Sequence, residues 1–253
     1  MQPEIDLFGL KLQTFGLMFG IGFLVAGAVI ARRMKELGKS PDWAYELTFA
    51  ALLGGLVGAK IWYVVENAES GEIFDKLFSG TGLVWFGGAL GGAAGVLIWG
   101  AWRRMPMLQM ADMCAPALAI GYAIGRIGCQ VSGDGDYGIA SSLPWAMAYP
   151  DGTVPTTEEV HPTPIYETLA MGLFAWLLWR WRDRLRPGLL FAWYLVGAGV
   201  ERFLIEFIRR NDEVLLGLTT AQLFSLVMAL AGAVWLLRAR TSVVPGRPAR
   251  RVV

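Results

Sequence analysis

The sequence predicts an all-α, polytopic integral membrane protein with about seven transmembrane helices, its N-terminus outside and its C-terminus inside. Three observations carry that expectation. Hydrophobic residues make up 55% of the 253 positions, and the mean hydropathy is +0.47. Apolar runs recur at close to the ~20 residues that a helix needs to cross a bilayer. Basic residues fall in every second loop, as the positive-inside rule requires.

Seven apolar segments are read at 12–31, 43–65, 83–102, 108–125, 163–181, 188–208 and 219–237. The first follows Met-Gln-Pro-Glu-Ile-Asp, which lacks the basic stretch of a cleavable signal peptide, so it is expected to stay as a span. With the N-terminus outside, the inner loops carry Arg32, Arg33, Lys35 and Lys39, then Arg103 and Arg104, then Arg180, Arg182, Arg184 and Arg186. The outer loops hold little more than Lys76, Arg209 and Arg210. Residues 1–240 read as a single transmembrane domain, and 241–253 as a basic, disordered cytoplasmic tail.

Within spans two to four, Gly54/Gly58, Gly87/Gly91 and Gly121/Gly125 repeat at four, which predicts close helix packing. Trp85, Trp99, Trp102, Trp176, Trp179 and Trp181 read as interfacial anchors. Ile73, Phe74, Leu77 and Phe78 fit a short amphipathic helix on the outer interface. The segment 139–160 reads equally as a lid, an arm or a linker.

Several function classes are absent from the sequence. It has no P-loop, no dinucleotide fingerprint and no Ser-His-Asp set, and its two cysteines, Cys114 and Cys129, suit neither a zinc site nor a disulfide scaffold. A net charge of +1 gives no reason to expect nucleic acid. No metal and no cofactor are expected; Asp134-Gly-Asp136 alone offers too few ligands for a cation.

The polar residues carry the signal. Arg126 follows the long apolar run 110–124 and opens a glycine-punctuated stretch containing Asp134, Asp136 and Gly138. An ionisable group at membrane depth marks a substrate path or a pair, while an arginine at a span end also has a snorkelling explanation. Arg202 lies on another span, and the topology places both arginines in the outer half of the membrane. Two guanidinium forks suit one bulky anion, and the phosphate of a membrane phospholipid is the nearest supply. Alternatively, Arg202 pairs with Glu201 or Glu206, and Arg126 with Asp134 or with Asp112, which is fourteen residues away on the same helix face. His161, the one histidine, opens His-Pro-x-x-x-Tyr-Glu with Tyr166 and Glu167. Asp134, Asp136, His161 and Glu167 are the candidate proton acceptors.

In order along the chain, these pieces resemble the prolipoprotein diacylglyceryl transferase family of bacterial inner-membrane enzymes. The matching pieces are Phe15-Gly-Leu-Met, Gly-Gly-Ala-Leu-Gly-Gly (87–92), Asp112-x-x-Ala-Pro and Gly125-Arg-Ile-Gly. His161-Pro-x-x-x-Tyr-Glu167, Arg202-Phe-Leu-Ile-Glu206-Phe with Arg209, and Gly217-Leu-Thr-Thr-Ala-Gln222 follow. The resemblance implies transfer of a diacylglyceryl group from phosphatidylglycerol to the lipobox cysteine of a preprolipoprotein, at a multi-pass site in the outer-leaflet half of the membrane. It implies that Arg126 and Arg202 bind the phospholipid phosphate. Arg202, Asp134, Asp136 and His161 take catalytic roles, supported by Asp112, Gly138, Tyr166, Glu167 and Glu206. Partners are phosphatidylglycerol, the signal peptide with its lipobox, and membrane lipid.

The sequence departs from the family pattern at Phe15 and Ala198 (each where the family has Tyr), Phe86 (His) and Cys129 (Asn). The signature Glu becomes Asp134 or Asp136, with one residue inserted before Gly138. These changes leave a second reading, a paralogue that binds or translocates phospholipid without catalysis.

Overall fold

The computed structural model describes residues 1–7, 9–67, 73–78 and 84–241, and it is mostly helical. A short hairpin of β1 (Glu4–Leu7) and β2 (Leu10–Gln13) leads into α1 (Thr14–Glu36) and α2 (Asp42–Asn67). A six-residue helix α3 (Ile73–Phe78), α4 (Trp85–Trp102) and α5 (Met107–Ser132) follow. After β3 (Met147–Tyr149) and β4 (Thr156–Val160) come α6 (Thr163–Trp181), α7 (Leu189–Ile205) and a 3-10 turn at Glu206–Ile208. The hairpin β5 (Glu213–Leu215) with β6 (Leu218–Thr219) then runs straight into α8 (Thr220–Thr241). The three two-stranded antiparallel sheets among the described residues were not expected from the sequence. Their strands have at most five residues, too few to show a period-2 pattern beside the long apolar runs.

Among the described residues, each of the seven apolar segments contains one of the helices α1, α2, α4, α5, α6, α7 and α8. Four helices among the described residues are long and apolar enough to cross a membrane: Thr14–Glu36, Asp42–Asn67, Met107–Ser132 and Thr220–Ala239. Phe86–Trp102 is a shorter apolar helix. The amphipathic segment is helical over Ile73–Phe78 with Ile73 and Phe74 exposed. The basic tail lies outside the described residues from 242 onward.

One boundary is corrected. The fourth apolar segment does not break at Arg126; α5 continues to Ser132 and stops where Gly133 turns left-handed at φ 60°. Gly125 and Gly128 look like breakers in a sequence, but glycine costs a helix only about 1 kcal/mol relative to alanine. Gly128 also lets α1 approach, since a Cβ there would stand 3.0 Å from the Met18 Cβ. Arg126 therefore sits inside a helix, nearly two turns from its end, and snorkelling past a helix terminus no longer describes it.

Glycines bring α2 and α4 together as expected. A Cβ built on Gly58 would stand 2.8 Å from the Gly91 Cα, and one on Gly91 would meet Gly58 at the same distance, so the two backbones touch. The core has three parts. Met34, Leu47, Trp99, Met110 and Met113 close one end of the α1–α2–α4–α5 group. Ala119, Met171, Leu178, Leu190 and Ala198 join α5, α6 and α7. Trp99 is thus buried, donating to Glu46 at 3.0 Å, and not the interfacial anchor its position suggested.

The third part lies between α5 and α6, in the segment that the sequence left open. It is a folded head. Tyr137 stacks on the buried Tyr149 with ring centroids 4.9 Å apart, and Val160 completes the cluster. Thr153 and Val154 donate backbone N–H groups to the Ser132 and Gly133 carbonyls at 2.9 Å. The head is pinned to the end of α5, and this fixes where residues 134–138 lie.

Candidate functional site

Beside this head, five elements bring six charged side chains together. Glu167, one turn into α6, is fully buried. Its Oε2 lies 3.3 Å from Arg126 Nε and 3.5 Å from Arg209 Nη1, and its Oε1 lies 3.6 Å from Arg202 Nη1. Tyr122, one turn before Arg126 on α5, donates its hydroxyl to Glu167 Oε1 at 2.6 Å. The same Tyr122 ring lies 4.9 Å beneath the Arg126 guanidinium.

Glu206, in the 3-10 turn after α7, is the second hub. Its Oε2 pairs with Arg202 Nη2 at 2.7 Å and with Arg209 Nε at 3.8 Å. Its Oε1 accepts from Asn211 Nδ2 at 2.6 Å and from Thr219 Oγ1 at 2.8 Å. Asp136, in the loop after α5, closes the ring by pairing with both Arg126 and Arg209. Burial pushes the Asp136 carboxyl up, but the Arg126 and Arg209 guanidiniums outweigh it and hold the group below the usual carboxylate range. Three guanidiniums face three carboxylates, a formally neutral set in which each buried charge has a counter-charge.

The ring is closed but not saturated. Among the described residues, Arg202 Nη1 and Glu206 Oε2 are buried without a hydrogen-bond partner. Both lie within ion-pair reach of an opposite charge, but the geometry does not align a hydrogen bond. A buried N–H left open on a cation suits an incoming anionic oxygen.

Of the residues singled out in the sequence, Arg126, Asp136, Glu167, Arg202 and Glu206 are brought into one cluster. Asp134 lies at its edge, where Oδ1 accepts the Asp136 backbone N–H at 3.2 Å. Cys129 joins that edge, with Sγ 3.7 Å from Arg126 Nη1. Ligand atoms of Cys129, Asp134 and Asp136 lie within 4.8 Å of one another. Asp136 is already engaged by two arginines, and their charge opposes a cation there.

Gly138 donates its backbone N–H to the His161 carbonyl at 2.8 Å, and a Cβ on it would stand 2.9 Å from the His161 Cβ. The His161 ring has the Tyr166 hydroxyl 3.4 Å from Nδ1, and Trp145 Nε1 donates to that hydroxyl at 2.7 Å. His161 and Tyr166 thus form an outer chain beside the charged ring.

Asp112 is not brought to the cluster, which corrects its grouping with Arg126. Its carboxylate accepts the backbone N–H groups of Gly188 at 2.6 Å and Phe191 at 2.9 Å, capping the start of α7. Fourteen residues on one helix face share a direction, but they are ~21 Å apart along the axis. The sequence reading also passed over Arg209 and Tyr122 as site residues. Arg209 stood in a matched motif but read as an outer-loop charge; Tyr122 precedes Arg126 by four, the spacing at which helix side chains meet.

Two of the departures from the family pattern are filled by packing. Phe86 packs against Phe224 of α8 with centroids 4.8 Å apart, and Ala198 is buried in the α5–α6–α7 core.

The sequence pattern described as prolipoprotein diacylglyceryl transferase matches residues 4–238. The chain belongs to the prolipoprotein diacylglyceryl transferase family. Three family relatives named phosphatidylglycerol–prolipoprotein diacylglyceryl transferase are similar over nearly their whole length. The Clostridium tetani protein is 31% identical over 240 residues, covering 92% of this chain and 95% of the relative. The Methylococcus capsulatus protein is 32% identical over 257 residues, covering 94% and 95%. The Chromohalobacter salexigens protein is 35% identical over 251 residues, covering 91% of each. In this family member, the matched residues include every element of the charged ring.

Proposed function

We propose that this family member is a phosphatidylglycerol–prolipoprotein diacylglyceryl transferase, moving the diacylglyceryl group of phosphatidylglycerol to the lipobox cysteine thiol of a preprolipoprotein. The observation that carries the reading is the buried Glu167 carboxylate held by Arg126, Arg202 and Arg209, in a chain that matches the family over residues 4–238. The protein crosses the bacterial inner membrane seven times, N-terminus outside, with the ring in the outer-leaflet half. The alternation of basic loops supports that arrangement.

In the reaction, the thiolate sulfur bonds to the glyceryl carbon attached to phosphate, that C–O bond breaks, and glycerol phosphate leaves with the electron pair. Negative charge grows on the departing phosphate oxygens. Arg126 and Arg202 bind the phosphate, with Arg202 Nη1 the donor left open for it. Fixed guanidiniums stabilise the growing charge without reorganising. The nucleophile belongs to the substrate, so neither Cys114 nor Cys129 needs to act.

The thiol proton must go to the enzyme or to water. Asp136, held anionic by two arginines, is a poor acceptor. We assign proton acceptance to His161, with Asp134 orienting the loop, because imidazole is the side chain most often used as a general base and His161 stands against Gly138 at the edge of the ring. The test is rescue of a strain depleted of its own transferase, scored by lipidation of a reporter preprolipoprotein. Rescue by the wild-type chain and loss with Arg126→Ala are expected. A correctly inserted wild-type protein that gives no lipidation would leave the non-catalytic phospholipid-binding reading instead.

A further inference from the structure

The β5–β6 hairpin has a tip that suits neither water nor a protein core. Strand neighbours point to opposite faces, so a hairpin lying on a protein shows one covered and one open face. Here Val214 and Leu215 are 68% and 56% exposed on successive faces, and Leu216 at the turn is 89% exposed. Leu215 pairs with Leu218, so Leu216 and Gly217 form a two-residue connection, with φ of 54° and 72°. Two positive φ values are the mark of the type I′ turn, where asparagine, aspartate or glycine is favoured at the first place. A leucine there carries backbone strain to present an apolar side chain.

The hairpin is also placed at a membrane boundary. Strand β6 passes directly into α8, one of the helices long and apolar enough to cross a membrane. At its other foot, Phe207 is exposed on the turn that ends α7. An unpaired strand edge cannot lie in hydrocarbon, where its N–H and C=O groups would go unsatisfied. The interfacial layer accepts both the apolar tip and the open edges.

We propose that Val214, Leu215 and Leu216 are seated among the headgroups and upper acyl chains of the leaflet next to the charged ring, anchoring the hairpin in lipid. The seat reaches the site through the hairpin's two feet. Asn211 precedes β5 and Thr219 ends β6, and both donate to Glu206 Oε1, whose other oxygen faces Arg202 and Arg209. Lipid contact at the tip thereby steadies the carboxylate that positions two arginines. This link to catalysis rests on the transferase reading; the membrane seat does not.

The test is Leu216→Cys carrying an environment-sensitive fluorophore, with the full chain reconstituted in phosphatidylglycerol vesicles. Label taken up by the wild-type protein at Cys114 and Cys129 is subtracted. A seated tip gives blue-shifted emission, quenched several-fold more by a nitroxide near the lipid headgroup than by one at the chain end, and protected from aqueous iodide. Water-like emission quenched by iodide and not by lipid nitroxide overturns the seat. So does shielding that appears only when a lipobox peptide is added, which would assign the tip to the peptide. A second variant, Leu216→Asn, installs a residue that the turn favours and so keeps the fold. It should raise the KM for phosphatidylglycerol in vesicles several-fold with kcat within about two-fold; unchanged KM would remove the link to the site. If no variant or wild-type protein shows transfer, the fluorescence result still stands, so the two failures are told apart.

Discussion

Arg126 Nε lies 3.3 Å from Oε2 of Glu167, a carboxylate with no exposed surface. The pair joins α5 to α6, and Arg202 and Arg209 bring α7 and the following turn to the same group. Removing the hub takes away the one carboxylate that all three guanidiniums approach within 4 Å among the described residues, leaving their direct ion pairs to Asp136 and Glu206. Breaking a buried pair from one side costs about 3–5 kcal/mol. Glu167→Ala is expected to lower the melting temperature of the detergent-purified protein markedly, read by thermal unfolding. An unchanged melting temperature would show that the arginines are held by other contacts.

Arg126 and Arg202 should differ in how they fail. Arg126 is locked by Glu167, Asp136 and the Tyr122 ring, whereas Arg202 keeps an open donor. A lysine offers one point charge in place of the fork. Arg202→Lys should cut transfer by ten-fold or more with normal folding, while Arg126→Lys should lose both stability and transfer. Transfer and thermal unfolding measured on the same preparations separate the two.

Asp136 sets an acid limit. Its folded pKa is held below the ~3.9 of a free aspartate, so its stabilisation is complete above that value and is lost as pH falls through the lower folded value. The melting-temperature gap between wild type and Asp136→Asn should stay constant from pH 7 to about 5 and narrow only below about 4. A gap that closes between pH 7 and 6 would mean that Asp136 is not held by the arginines.

Gly138 has no room for a methyl group: a Cβ there would run into the Ile208 backbone carbonyl first, then the His161 Cβ at 2.9 Å and the Thr163 Cγ2 at 3.0 Å. Gly138→Ala should push the Asp136 loop away from the Arg209 segment as well as from His161, and reduce transfer at least ten-fold. If His161 accepts the thiol proton, His161→Gln should cut kcat about a hundred-fold or more with normal folding. A retained kcat in that variant would move proton acceptance elsewhere.

The helices were legible in the sequence because apolar length and alternating basic loops are long-range, redundant signals. Arg126, Glu167 and Arg202 were legible as unusual charges in apolar surroundings. What was not legible was which charges meet. Asp112 and Arg126 share a helix face yet serve opposite ends of α5, and Arg209 looked like a loop cation until the 3-10 turn carried it back under Glu206. The end of α5 was misplaced for a related reason. Glycine weakens an α-helix by about 1 kcal/mol without ending it, so α5 runs through Gly125 and Gly128 to Ser132. The head between α5 and α6 depends on Tyr137 stacking over Tyr149, a contact between residues twelve apart that no local pattern announces.

The most direct measurement is release of glycerol phosphate by purified protein in phosphatidylglycerol vesicles supplied with a lipobox peptide, beside the same peptide with its cysteine changed to serine. The account predicts release matched mole for mole by diacylglyceryl-modified peptide. It also predicts no product with the serine peptide and none with Arg126→Ala. Folded wild-type protein that binds the vesicles but releases no glycerol phosphate, or an Arg126→Ala protein that works normally, would contradict it.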